Sequence, residues 1–221
     1  EIEWEPFYRS YVRTYLERDV AELINTKNLL KFSSFMRCLA ARTGELINYS
    51  ALSNDIGVSV KTVREWTSIL ESSGIIRLLR PYEKSISNRS IKTPKVFFMD
   101  TGLVCYLVGW SNRTVAMNGA MSGSLFETFL ISEIIKSYYN AGFDTQRLYF
   151  YRDRDQREID LIIENDGIIY PVEIKKSGKP SLDMAKHFNV FHEIGKGCIL
   201  CQCEKPYYLK DDVIALPIEY V

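Results

Sequence analysis

Residues 157–177 read REIDLIIENDGIIYPVEIKKS. Two apolar runs flank Asn165-Asp166-Gly167, and an Asp-Gly dipeptide favours the two-residue type I′ turn of a β-hairpin, whose central residues both need φ > 0. Asn165 then faces Ile168. Counting back, Ile162 faces Pro171, Asp160 faces Glu173 and Glu158 faces Lys175. Residues directly opposed on a ladder share a face, with Cβ atoms about 5 Å apart. Ile159, Leu161, Ile163, Val172 and Ile174 fall on the other face. The predicted hairpin therefore has one apolar face and one face on which Asp160 and Glu173 oppose each other beside Lys175.

Like charges directly opposed destabilise a sheet, and a divalent cation between them reverses the sign of that interaction. Mg²⁺ takes hard oxygen ligands and keeps several waters, so one or two carboxylates suffice. Asp160, Glu173 and the carbonyl of Ile174 are the expected ligands of Mg²⁺ or Mn²⁺. Such an ion lowers the pKa of a bound water and neutralises a scissile phosphate. Lys175 would meet the charge developing on that phosphate. The plain alternative is a half-exposed sheet face with an ion pair. Arg152, Arg154, Arg157, Lys176 and Lys179 lie close by in sequence, as phosphate contacts or as a solvated turn.

The flanking segments set the fold class. GSLFETFLISEIIKSYYNAG predicts a helix with Ser124 as N-cap and Gly142 near its stop. RLYFYRD reads as a strand, SLDMAKHFNVFHEIG as a helix after the hairpin, and KGCILCQC as a strand. The order is α-β-β-β-α-β, an α/β module. Ser124-x-x-Glu127 also forms a capping box, so Glu127 is either a cap or a metal-side carboxylate. Cys198, Cys201 and Cys203, with His187 or His192, suggest zinc, but their spacing fits no standard pattern; a buried strand is the preferred reading.

The first half reads as helical over residues 6–42, with a second helix in LLKFSSFMRCLAARTG ended by Gly44. A short helix over 50–56, a turn at Gly57 and a helix over 59–71 give helix–turn–helix spacing, with Leu52, Ile56, Val63 and Ile69/Leu70 as the buried seam. Ser59, Lys61, Thr62 and Arg64 then face outward, as on a recognition helix. Strands over 75–79 and 96–99 form a wing whose tip carries Arg80, Lys84, Arg89, Lys92 and Lys95, suited to phosphate contact. TGLVCYLVGW predicts a short helix and SNRTVAMNGA a linker or exposed loop. The expected domains are 1–119 and 120–221.

The 221 residues balance 28 basic against 28 acidic side chains, which points to no nucleic-acid partner by itself. The halves differ: 16 basic and 12 acidic residues in 1–120, against 12 and 16 in 121–221. No apolar run approaches the roughly 18–20 residues that span a bilayer. Five cysteines, an odd number, argue against a secreted disulfide framework; a cytoplasmic location is the expectation. A chain opening on Glu1 predicts an excised piece of something longer.

The stretch 48–99 resembles a prokaryotic winged helix. Asp160, Glu173-Ile174-Lys175 and Glu127, in an α-β-β-β-α-β order, resemble the PD-(D/E)xK nuclease superfamily; Ile159 stands where the motif's name has proline, and the Gln-x-x-x-Tyr signature of RecB-like members is missing. The order FYRSYVRTYLERDV, winged helix, FFMDTGLVCYLV, GSLFETFLISEI, YFYRDRDQREIDLII and YPVEIKKS is similar to the C-terminal region of prokaryotic AAA-type ATPases. That resemblance implies a domain of unknown function with a nuclease-like fold, behind an N-terminal ATPase domain that binds ATP. No G-x-x-x-x-G-K-[ST] occurs here, so ATP belongs only to the rest of the parent protein. The implied function is Mg²⁺-dependent phosphodiester hydrolysis on DNA, with Lys61, Thr62, Arg64, Lys84, Arg89, Lys92, Lys95 and Arg152 as nucleic-acid contacts. The alternatives are a non-catalytic DNA- or protein-binding module with a vestigial nuclease fold, and a purely structural oligomerisation domain.

Overall fold

The computed structural model describes residues 3–24, 28–82, 92–110 and 112–221. The chain is mixed α/β and divides into two compact units: residues 1–78 with 96–128, and residues 79–95 with 129–221.

Helices dominate the first unit. Helix α1 (Trp4–Thr14) runs on into a π-helical turn, Tyr15–Val20, and α2 (Leu29–Ala40) follows. Then come α3 (Tyr49–Ile56) and α4 (Val60–Ser72). Between them Gly57 takes φ 67°, a left-handed conformation that glycine adopts without a Cβ penalty. The Ser59 hydroxyl accepts from the Thr62 amide and starts α4, satisfying one of the donors left open at a helix N-terminus. Leu52, Val63 and Leu70 are fully buried, with Trp66 edge-on to Phe32 at 5.3 Å; Ile56 and Ile69 are only half-buried. Strands β1 (Ile76–Pro81) and β2 (Lys95–Phe98) are hydrogen-bonded neighbours. Arg80 thus stands in a strand rather than on a tip, and Lys84 and Arg89 lie outside the described residues.

Helix α5 (Thr101–Leu107) is capped by Asp100. The predicted linker is instead helical over α6 (Arg113–Asn118), because the Asn112 side chain accepts from the Val115 amide and caps it. Helix α7 (Ser122–Asn140) begins two residues before the predicted cap. The Met121 carbonyl already receives the Leu125 amide at 2.8 Å, so Ser124 lies inside the helix rather than at its cap.

In the second unit the end of β1 pairs in parallel with β3 (Leu148–Arg152). Strand β3 is antiparallel to β4 (Glu158–Asn165), and β4 to β5 (Ile168–Lys175). Beyond them lie β6 (Gly197–Cys201), then β8 (Val213–Pro217), and at the edge β7 (Tyr207–Lys210). The β5–β6 and β6–β8 pairs are parallel, so the sheet is mixed. Strands β7 and β8 extend the order read from the sequence.

The predicted second helix of this module is a 3₁₀ segment, Leu182–Val190. Its buried positions, Ala185, Phe188 and the adjoining Phe191, recur every third residue, and only a three-residue turn keeps that spacing in line. Phe188 lies so close to β6 that a Cβ on Gly197 would stand 2.5 Å from its ring. Cys201 and Cys203 join this core. Burial pushes the Cys201 thiol up to about 11 and the Cys198 thiol up to about 12, as buried strand residues require.

Candidate active site

The hairpin turn forms as its dipeptide dictates: Asp166 has φ 51° and Gly167 φ 81°. Asn165 faces Ile168, and the register holds through Leu161 facing Val172. A two-residue turn makes every second pair a doubly hydrogen-bonded one, so Ile159 and Ile174 should come next. They do not pair. The Ile174 amide instead donates to Asp160 Oδ2 at 2.8 Å, and the carboxylate takes the place of a main-chain acceptor.

The cause is visible on the other edge of β4. Tyr149 faces Ile162 and Tyr151 faces Ile159. Between those pairs β3 has one residue, Phe150, whereas β4 has two, Asp160 and Leu161. This is a β-bulge, which bends the strand and re-aims the side chain at the extra residue. It also corrects the predicted division of faces. Ile159 packs with Ile162, Ile169, Phe188, Phe191 and Ile199 rather than opposite them. Residue Glu173 is aligned with Ile199 and Lys175 with Cys201 on β6, so the acidic face is the continuation of a buried apolar face.

Lys175 Nζ lies 2.6 Å from Glu173 Oε2 and 3.4 Å from Asp160 Oδ2. Asp160, Glu173 and Lys175 therefore converge. The residue-level exposure is 9% for Asp160 and 3% for Glu173, so neither acid is on a solvated face. Burial, reinforced by the negative charge of Asp160, pushes the Glu173 carboxyl up to about 9, with Lys175 pulling the other way. Burial also disfavours the Lys175 ammonium, but the two carboxylates outweigh it and hold its pKa above the ordinary value. The Glu173 carboxyl is thus biased toward its protonated form.

Glu158 does not meet Lys175. Beyond Leu161 and Val172 the strands no longer pair, and Glu158 finds stronger partners: Lys95 Nζ at 2.5 Å and Arg152 at 3.2 Å. Lys95, expected at a phosphate-contacting tip, is 2% exposed and engaged with Glu158, which removes it from that surface. Arg152 is held by Glu158 and by a hydrogen bond to Gln156. Lys92 is exposed. Lys61 and Arg64 are exposed on the first turns of α4; Lys61 lies 3.8 Å from Glu65 and the Arg64 guanidinium sits over the Tyr49 ring at 4.1 Å. The Thr62 hydroxyl is 2.8 Å from that of Ser59. Glu127 belongs to the part of α7 counted with the first unit, so its metal-side role stays with the resemblance alone.

Sequence reasoning missed Asp153. Fully buried, it receives the amides of Asp155 and Arg157, the Tyr151 hydroxyl and the Arg157 guanidinium. It fixes the turn that delivers β4. The dense charge of RDRDQR was the available signal.

Two hard carboxylates at one buried point form a donor set that suits a divalent cation with several waters. Among the described residues no group of three or more His, Cys, Asp or Glu side chains converges. No helix among them is long and apolar enough to cross a membrane.

Residues 122–221 match the family model described as domain of unknown function DUF4143. The chain is 26% identical over 212 residues to the uncharacterized proteins Mb2031c of Mycobacterium bovis and Rv2008c of Mycobacterium tuberculosis. Each match covers 96% of this chain and 47% of the relative, so the chain spans about half the length of the curated relatives it matches. No solved structure gives a significant match. A further family model covers residues 1–114, over half of the sequence, and the chain belongs to that family, described as domain of unknown function DUF8612.

Proposed function

We propose that residues 120–221 form a PD-(D/E)xK-type domain that hydrolyses phosphodiester bonds with Mg²⁺ or Mn²⁺. In this reading residues 1–119 contain a winged helix that contacts DNA or a partner, and the whole is the C-terminal part of an AAA-type ATPase. The observation that carries it is the convergence of Asp160, Glu173 and Lys175 at a β-bulge. The Gly57 turn and the exposed Lys61 and Arg64 of α4 support the second element. Relatives about twice the length of this chain support the third.

Asp160 and Glu173 would hold the ion, with the Ile174 carbonyl as a further oxygen. When bound, the ion supplies Lewis acidity toward the phosphate and an acidified water. The chain's own groups do the rest. The Ile174 amide keeps Asp160 oriented. Glu173 would release its proton to solvent in order to serve as a ligand. Lys175, a third exposed at its side chain, donates hydrogen bonds to a phosphate oxygen.

Incubation with single- and double-stranded DNA, with and without Mg²⁺ or Mn²⁺, tests the reading. Asp160→Asn and Glu173→Gln should cut the cleavage rate by about 100-fold or more, the scale of removing one electrostatic group from an active site. DNA retention in a gel shift should persist. Cleavage that survives both substitutions overturns the assignment.

A second reading is a non-catalytic binding module. Lys175 already bonds both carboxylates, and that self-sufficiency favours it. Its signature is the opposite result: both substitutions raise thermal stability, and no divalent ion binds.

A further inference from the structure

Resting on the reading of Asp160 and Glu173 as ion ligands, we propose that Lys175 is a tethered counter-cation. Its ammonium occupies the place a divalent ion would take, so that ion entry and lysine departure are one event.

The geometry makes the two occupants exclusive. Nζ touches Glu173 Oε2 at 2.6 Å and Asp160 Oδ2 at 3.4 Å. An ion bonded to the same two oxygens at about 2.1 Å lies within a few ångströms of Nζ, where two positive charges repel strongly in a dry setting. The carboxylates cannot yield instead. Their side chains are 12% and 4% exposed; Asp160 is tied to the Ile174 amide, and Glu173 is aligned on the β5–β6 ladder. Lys175 is the group that can move. It is the last residue of β5, its side chain is 35% exposed, and four methylenes separate its charge from the backbone. Displacement swings the ammonium outward, toward the solvent side from which a phosphodiester arrives. The same residue thus stabilises the metal-free site and becomes available to substrate once the ion is in.

The test measures binding, not turnover. Mn²⁺ titrations by calorimetry at pH 8 compare the wild type with Lys175→Met, Lys175→Arg, Asp160→Asn and Glu173→Gln. Lys175→Met, which keeps the bulk and removes the charge, should bind Mn²⁺ about tenfold tighter or more, the scale of removing a charge within a few ångströms. Asp160→Asn and Glu173→Gln should lose binding. Should Lys175→Met fail to fold, the wild type still answers: with lysine labelled in ¹³C and ¹⁵N, the Cε–Nζ correlation that vanishes in Lys175→Arg should shift when diamagnetic Mg²⁺ is added. Wild-type binding with unchanged or weaker affinity in Lys175→Met, or a Lys175 resonance that ignores Mg²⁺, overturns the counter-cation and leaves the ion site standing. If no variant and no wild-type sample binds either ion, the ion site itself falls, and this proposal with it.

Discussion

Strand β4 carries two charged clusters built in opposite proportion. At Glu158 one carboxylate meets two cations, Lys95 and Arg152; two residues on, the carboxylates of Asp160 and Glu173 meet one cation, Lys175. Counted as formal charges, the first trio has an excess of one positive charge and the second an excess of one negative. The sign of the excess decides how each copes with burial. The first buries its lysine against a carboxylate and ties Lys95 to Glu158 of β4, which also holds Arg152 of β3. The second sets two carboxylates against one ammonium, and burial, reinforced by the Asp160 charge, pushes the Glu173 carboxyl up to about 9. Fixed charge makes scaffold; unmatched charge leaves a place for a proton.

Three measurements break or sharpen that contrast. The largest effect belongs to Glu158→Ala, which takes from Lys95, its side chain 3% exposed, a carboxylate at 2.5 Å. Breaking a buried pair from one side costs about 3–5 kcal/mol; since the Glu158 side chain is 27% exposed, about 3 kcal/mol is the expected loss in a denaturant titration. A loss under about 1 kcal/mol, the scale of a surface pair, would make the first trio no scaffold at all.

The pH dependence of stability comes next, and its sign follows from Glu173. Burial holds this carboxyl up at about 9 in the folded chain, well above a solvated glutamate at about 4.3, so between those values it binds more protons than the unfolded chain. Stability must then fall as pH rises through that window. Metal-free wild type should show a melting temperature that declines from pH 5 to pH 9, and Glu173→Gln should flatten the decline. A profile identical in both proteins would mean that the second trio is no less settled than the first.

The smallest effect is Arg152→Lys. The Arg152 Nε is buried without a hydrogen-bond partner, and a lysine removes that group while keeping the charge beside Glu158. With its side chain 30% exposed, the pair lies in the range of about 1 kcal/mol or less, so unfolding should shift by no more than that. A larger loss would show that the fork geometry of arginine, rather than its charge, holds the first trio.

Much of this was written in local signals. Asp166-Gly167 named its turn, and the register to Leu161 and Val172 followed from counting. Gly57 and Ser59 marked the start of α4. Beyond those points the signals are non-local. No glycine or proline announces the bulge at Asp160 and Leu161; it appears only against β3, and alternation counted along β4 assumes an unbroken ladder. Lys95 read as a surface charge because its partner, Glu158, lies far along the chain. Asn112 was hidden in a polar run that looked like a linker, although its side chain caps α6. Leu182–Val190 offers apolar residues at a spacing of three, close enough to the helical period of 3.6 to read as a helix. For the candidate site, the identities of Asp160, Glu173 and Lys175 were legible, but their dry setting and the inward turn of Asp160 were not.

The extra residue in β4 makes chain length itself an ingredient of the chemistry. Removing Leu161 would let β3 and β4 run in phase and leave each acid in the sequence, yet the carboxylate of Asp160 would no longer be delivered to the Ile174 amide. Swapping Leu161 for another apolar residue preserves the count and with it the aim. What the strand encodes at this point is parity, so a single deletion there does what no conservative substitution can.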